Sequence, residues 1–296
     1  MAVLQVALIN ESATLPMADF LEAAAAIQKQ VLKDFGPIWE IDATVAAFAA
    51  TDHKPLDAWP VVLRDDVTIN SAGAHSTEDG GRPFALVAYR EEDWTLTLSH
   101  EVLEMLADPF GKTLLTGPSP TSAGATVEYL VEVCDPCQQA HLVHEPYVVN
   151  GVKVSDFVVP DYYKGFGPAD YSFTGAVRAP RSVLPNGYVS YRDLATMDWK
   201  QLIDDGAGPE ERSLGPNPAP IEMHLRGTID RMTNAYFARS RRSSKGGKRR
   251  TKRAGTTPTA TAKQVNQRTK KYRDAQQAQA GWWRAEITKK LAIGER

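Results

Sequence analysis

The chain has 296 residues, of which 43% are hydrophobic and 24% charged, with two cysteines. That composition belongs to a globular chain of one large or two small domains, and it excludes a disordered or collagen-like polymer and a disulfide-stapled scaffold. No apolar run approaches the roughly 18 residues a membrane-spanning helix needs, and the start, MAVLQVALINES, lacks a basic leader, so the expected location is the cytoplasm. The formal net charge of −2 hides an asymmetry: residues 239–296 carry 18 Lys/Arg against three acids, while residues 1–238 carry 16 Lys/Arg against 33 acids. An acidic body is joined to a basic tail, and the two have to be read separately.

Val3 to Ile9 is a short apolar run suited to a buried strand. Met17 to Phe35 places Phe20, Leu21, Ala24, Ile27, Val31 and Leu32 at helical spacing, and Gly36-Pro37 is expected to end that helix. Strands are predicted over Ile38 to Ala50, Trp59 to Val67 and Pro83 to Tyr89, with the Gly/Ser/Asp-rich stretch Asn70 to Gly81 as a loop. Thr95 to Ala107 is helical again, with Ser99 as its cap or in its first turn and Asp108-Pro109 closing it. The order predicts an α+β fold, a mixed sheet with two packed helices.

Beyond Gly111 the texture changes. Thr126 to Val133 alternates like a strand, and Pro146 to Val159 reads as a hairpin about Asn150-Gly151. Pro160 to Pro220 is expected to form long ordered loops, and Ile221 to Phe237 a short element of open type. The division is therefore residues 1–110, a loop-rich β subdomain over 111–238 and a basic tail over 239–296, which ends in a helix-compatible segment from Gln264 to Ala292.

The sharpest chemical feature is SHEVLEMLADP, Ser99 to Pro109. On a helix, His100 and Glu104 share one face a turn apart, and an imidazole and a carboxylate so placed can hold two positions of a tetrahedral zinc ion. Glu101 would then lie beside a metal-bound water and take its proton. This is the logic of the H-E-x-x-H metalloprotease helix with glutamate in place of the second histidine. The bland alternative is a solvated helix face with i,i+4 contacts.

The first 110 residues resemble a zincin metallopeptidase core. SHEVLEMLADP followed by VEVCDPC resembles, more narrowly, uncharacterised bacterial and phage proteins with S-H-E-x-x-E-x-x-x-D-P and a later E-x-x-D-x-C segment. The likeness covers roughly residues 1–160, with a looser echo in NGYVSYRDLATMDW at 186–199. It implies a zincin-type fold, and a virion-associated location if the chain is phage-encoded.

A third ligand is needed. An unbroken helix would carry Asp108 about 12 Å along the axis from His100, about 6 Å beyond Glu104, so its expected task is to tie down the turn at Pro109. In VEVCDPC, strand alternation would turn Glu132 toward the helix while Val131 and Val133 join the core, and Asp135 follows at the turn. Glu132 ranks first as ligand and Asp135 second, either directly or by orienting another ligand; both as plain surface acids is the alternative. Cys134, Cys137, His141 and His144 form a competing zinc set, but the two pairs stand too close in sequence to close a tetrahedron easily. His75, in the predicted loop, could line a cleft or be simply solvated. Tyr162, Tyr163 and Tyr171 could supply an oxyanion-stabilising phenol or only packing.

The tail carries nine Lys/Arg and no acid between Arg239 and Arg253. Arg241, Arg242, Lys248, Arg249, Arg250, Lys252 and Arg253 are candidate polyanion contacts, toward nucleic acid by phosphate neutralisation or toward an acidic protein surface. Trp282-Trp283 favour a docking helix. Two readings result. The first is a zinc (or other divalent metal) hydrolase, a peptidase acting on peptide or protein, with His100, Glu104 and Glu132 as ligands and Glu101 as general base. The second is a zincin-shaped structural or interaction protein whose tail binds nucleic acid or an acidic partner.

Overall fold

The computed structural model describes residues 3–65, 73–77, 81–165, 170–216, 225, 226 and 229. The fold is α+β. Its first sheet has strand order β2-β1-β3-β5-β4, from β1 (Leu4–Asn10), β2 (Ala43–Ala49), β3 (Trp59–Arg64), β4 (Gly73–Thr77) and β5 (Pro83–Ala88). All pairs are parallel except β4, which runs antiparallel to β5 at the edge. Alternation along β1 sorts its two faces: Val6 and Leu8 join the main core, whereas Ala7 and Ile9 pack with Ala58 on the other side.

Helices α1 (Met17–Gln30) and α3 (Trp94–Ala107) cover that main face. They meet where the Phe20 and Trp94 rings stack at 6.3 Å. In α1, Phe20, Ala23, Ala24, Ala26 and Ile27 are buried while Leu21, and Leu32 just beyond the helix, stay half exposed. Alanines on the inner face let the helix sit close to the sheet.

The helix does not end at Gly36-Pro37 as the sequence predicts. A π turn over Val31–Phe35 leads into α2 (Gly36–Trp39), which stops at Glu40 in the left-handed region, φ 56°. Proline is tolerated because it falls in a first helical turn, where its missing N–H is not needed. Ile38 and Trp39 are consequently helical, and the strand starts later, at Ala43.

The stretch Asn70 to Gly81 is not all loop: Gly73–Thr77 is the edge strand β4, and it buries His75. The second sheet, β12-β11-β10-β7-β6, is antiparallel throughout. It contains β6 (Leu114–Pro118), β7 (Thr126–Leu130), β10 (Tyr188–Asp193), β11 (Asp198–Asp204) and β12 (Pro209–Pro216). Three of its strands lie in the 160–220 stretch expected as loops; Trp199, Leu202, Val189 and Tyr191 are the buried side chains that hold them there. Asn150 (φ 51°) and Gly151 (φ 86°) turn the small hairpin of β8 (Val148–Val149) and β9 (Val152–Lys153), the left-handed pair a two-residue turn requires.

The main core crosses residue 110: Val131, Val133, Cys134, Val149, Val154 and Phe157 pack in the same cluster as α1, α3 and the first sheet. A second core gathers Tyr129, Tyr162, Tyr163 and Tyr191 around the second sheet, beside the short helix α4 (Asp161–Lys164). Among the described residues no helix is long and apolar enough to cross a membrane. The basic run 239–253, its candidate contacts from Arg241 to Arg253, the segment 264–292 and Trp282-Trp283 lie outside the described residues.

Candidate metal centre

Nearly every face of α3 is covered. Leu98, Val102, Leu103, Met105 and Leu106 are buried against sheet and core, and so are Glu101 and Glu104. Burying each large apolar side chain contributes about 1.5–3 kcal/mol, which offsets the cost of taking acids out of water. The helix begins after Asp93, so Ser99 lies in its second turn and is not its cap. Instead the Ser99 hydroxyl donates to the Leu96 carbonyl at 3.1 Å and accepts the Ser155 N–H at 2.6 Å, tying α3 to the chain after β9.

At the other end, Asp108 accepts from the Lys112 N–H (3.0 Å), the Thr113 N–H (3.1 Å) and the Thr113 hydroxyl (2.7 Å). Its carboxylate is occupied by the turn that follows the helix.

His100 and Glu104 approach each other across one helical turn, with His100 Nε2 3.2 Å from Glu104 Oε1. The same nitrogen lies 3.4 Å from Asp135 Oδ1. Asp135 opens a short 3-10 turn, Asp135–Cys137, five residues after the last residue of β7. The strand ends at Leu130, so Glu132 is placed by the irregular segment that follows rather than by alternation; Val131, Glu132 and Val133 are all buried. Ligand-type atoms of Glu104, Glu132 and Asp135 all lie within 4.8 Å of one another, as do those of His100, Glu104 and Cys134. Backbone donation fixes the arrangement, since the Cys134 N–H reaches Glu104 Oε1 at 3.3 Å.

Two further residues complete the cluster. His75, on β4, has Nδ1 3.7 Å from Glu101 Oε2 and 3.8 Å from Glu104 Oε2. Arg226, which sequence reasoning did not single out, sends Nη1 to 2.7 Å from Glu104 Oε2, 2.6 Å from Glu132 Oε2 and 2.6 Å from His75 Nδ1. It is aimed there by its neighbours: Leu225 and Ile229 are buried with Leu130 and Trp199, and the Arg226 N–H bonds the Gly111 carbonyl at 2.8 Å. The sequence carries only an indirect signal: Leu225 and Ile229, four apart, would share one helical face, and Arg226 lies about 100° round from Leu225, unmarked by that spacing.

Four buried carboxylates therefore face one guanidinium and two imidazoles. Burial raises the Glu101 carboxyl to about 8, against the pull of His100 and Arg226. Burial also holds Glu132 well above the ordinary carboxylate range despite Arg226, with Glu104 and Asp135 adding to the rise. Glu104 goes the other way: burial would raise it, but His100 and Arg226 together hold it well below. For His100 burial lowers the imidazole, and Glu104 and Asp135 outweigh that and keep it well above its usual value. Glu101 Oε2, Glu132 Oε1 and Asp135 Oδ2 are buried oxygens with no hydrogen-bond partner. Orphaned buried acceptors beside an imidazole are the donor set a dication satisfies.

Of the competing Cys/His set, only Cys134 converges with His100 and Glu104; Cys134 and Cys137 are buried free thiols, and among the described residues Cys137, His141 and His144 join no convergent ligand group. Tyr162 and Tyr163 are packed ring to ring at 5.0 Å in the second core. Their hydroxyls donate to the backbone carbonyls of Ser182 and Glu132. Tyr171 is buried in the same core. No known protein family, curated protein or solved structure matches the chain.

Proposed function

We propose that the chain is a metal-dependent hydrolase of zincin type, a peptidase, with a divalent cation held by His100, Glu104 and Asp135. The observation that carries this reading is the spacing about His100 Nε2: 3.2 Å to Glu104 Oε1 and 3.4 Å to Asp135 Oδ1. Ligands about 2.0–2.1 Å from a tetrahedral zinc lie roughly 3.3 Å from each other. An imidazolium bonded directly to a carboxylate would close to about 2.7–2.9 Å. Asp135 takes the third place ahead of Glu132, because Glu132 is paired with Arg226.

A cation so held supplies Lewis acidity toward a carbonyl and a more acidic water. The chain's own residues do the rest. Glu101, adjacent to His100 and carrying an orphaned Oε2, would take a proton from water and pass it to the leaving amine in its ionised form, which a neighbouring dication would favour against the rise that burial imposes. His75 stands against Glu101 and limits how its carboxyl can turn. His100 is the most exposed member of the cluster at 13%, against 3% or less for Glu101, Glu104 and Asp135, so a substrate would approach past the imidazole.

That depth favours a second reading as well, in which the cation is a structural staple and the chain an interaction protein whose basic run contacts nucleic acid or an acidic surface. Metal analysis of the wild type, His100→Ala and Glu101→Gln, beside a peptide-library cleavage assay, separates the two. Stoichiometric metal lost in His100→Ala with cleavage lost in Glu101→Gln supports the peptidase. Metal without cleavage supports the staple, and a wild type that retains no divalent ion refutes both metal readings. For the tail, gel shifts across a salt series decide, and no retardation at low salt rejects nucleic acid.

A further inference from the structure

Glu104 presents its two oxygens to different surroundings. Oε1 faces His100 and the Cys134 N–H, while Oε2 faces Arg226. Around Arg226 Nη1 stand Glu104 Oε2, Glu132 Oε2 and His75 Nδ1, all at 2.6–2.7 Å. A terminal guanidinium nitrogen has only two hydrogens to give, so three acceptors at that distance exceed what it can satisfy by hydrogen bonding. Glu132 bears this out: its contact with Arg226 is an ion pair, and neither of its oxygens has a hydrogen-bond partner although the side chain is buried. Two carboxylate oxygens and an imidazole nitrogen thus surround the one Nη1 atom, and they are donor types that a divalent cation also takes.

We propose that the acid cluster contains two cation positions sharing Glu104 as a bridge, and that the second, formed by Glu104, Glu132 and His75, is filled by the chain's own Arg226. The first position rests on the reading of His100, Glu104 and Asp135 given above; the second stands on its own contacts. Carboxylate-bridged pairs of divalent ions are a common hydrolytic arrangement, and here a guanidinium replaces one of them. The substitution also docks Arg226 and its buried neighbours Leu225 and Ile229, because the same carboxylates that neutralise Arg226 hold it beside α3. Removing the guanidinium would leave Glu132 buried without a counter-charge, and a dication is the natural replacement.

The test is zinc stoichiometry by equilibrium dialysis and elemental analysis, with zinc salt alone as the probe, on the full chain. Arg226→Met keeps the volume and leaves the Leu225 and Ile229 anchors intact. The expected result is about one zinc in the wild type, about two in Arg226→Met, and about one again in Arg226→Met/Glu132→Gln and in Arg226→Lys. Arg226→Met should also melt lower than wild type in EDTA and recover in zinc, while the double variant should not show that zinc-dependent recovery. One zinc of unchanged affinity in Arg226→Met, or none, overturns the proposal. A wild type that binds no zinc would remove the His100 position alone, and the second position would then be decided by whether Arg226→Met gains an equivalent.

Discussion

Asp108 gives the sharpest division between a ligand and a structural acid, because it belongs to the same motif as His100 and Glu104 yet has its oxygens engaged elsewhere. Its side chain is fully buried and receives two backbone N–H groups and one hydroxyl within 2.7–3.1 Å. Hydrogen bonds to a charged acceptor contribute about 1.5–3 kcal/mol each, and buried donors left without a partner cost about 1–3 kcal/mol. Some water will reach the Lys112–Thr113 turn in a truncated variant, so Asp108→Ala should destabilise by about 3–5 kcal/mol, and Asp108→Asn, which keeps one acceptor oxygen, by about half of that. Urea unfolding followed by tryptophan fluorescence measures this as a lower midpoint at unchanged slope. Zinc content of the folded fraction should stay at the wild-type level in both variants. A loss of stability below about 1 kcal/mol would refute the structural assignment. Loss of zinc comparable with His100→Ala would refute it too, since Asp108 would then be a ligand.

Gly73 lies so close to α3 that a Cβ there would stand 2.6 Å from Glu101 Oε1 and 2.8 Å from Thr97 Cγ2. Gly73→Ala should cost about 1–3 kcal/mol by overpacking and turn Glu101 aside while zinc content holds; a melting temperature equal to wild type would reject this. Ser99→Ala removes the acceptor of the buried Ser155 N–H and should cost about 1–3 kcal/mol in chemical denaturation, with a neutral result counting against the contact. Asp65 accepts from Ser12, from the Ala13 N–H at 2.6 Å and from the Thr14 hydroxyl at 2.9 Å. Although slight burial would raise its carboxyl, those bonds hold it below the ordinary value. A depressed acid contributes stability above its unfolded value, near pH 4, that is lost as pH falls through the folded value. The stability gap between wild type and Asp65→Asn should therefore shrink from about pH 4 downward, and a gap constant from pH 7 to pH 3 would contradict the sign.

The helix that bears His100, Glu101 and Glu104 was legible because its apolar spacing and its Asp-Pro stop are local signals. The first, third and fifth strands of the leading sheet were legible for the same reason: each is a short apolar run between turn residues. β4 was not, since Gly-Ala-His-Ser-Thr carries no strand propensity of its own and is held by pairing with β5 and by close approach to α3. The continuation through Gly36-Pro37 escaped because a π turn shifts the register just before the proline. The three strands after residue 187 escaped because the stretches around them, from Pro160 to Gly187 and from Gly206 to Pro220, are rich in glycine and proline and obscured the local antiparallel pairing of β10 with β11 and β11 with β12. At the site, His100, Glu104 and the 132–135 acids could be named from spacing, whereas Arg226 is 122 residues from Glu104 and reaches it only through tertiary packing.

The shared core across residue 110 sets a minimum for any shortened form of the protein. Cutting after α3 would strip Val131, Val133, Cys134, Val154 and Phe157 from its underside and leave the Ser99 hydroxyl without Ser155. A fragment of the first sheet and its two helices would then present an oily seam along α3 to water and stick to itself. A fragment meant to survive on its own has to run at least through Phe157, even though the leading sheet is complete by residue 88.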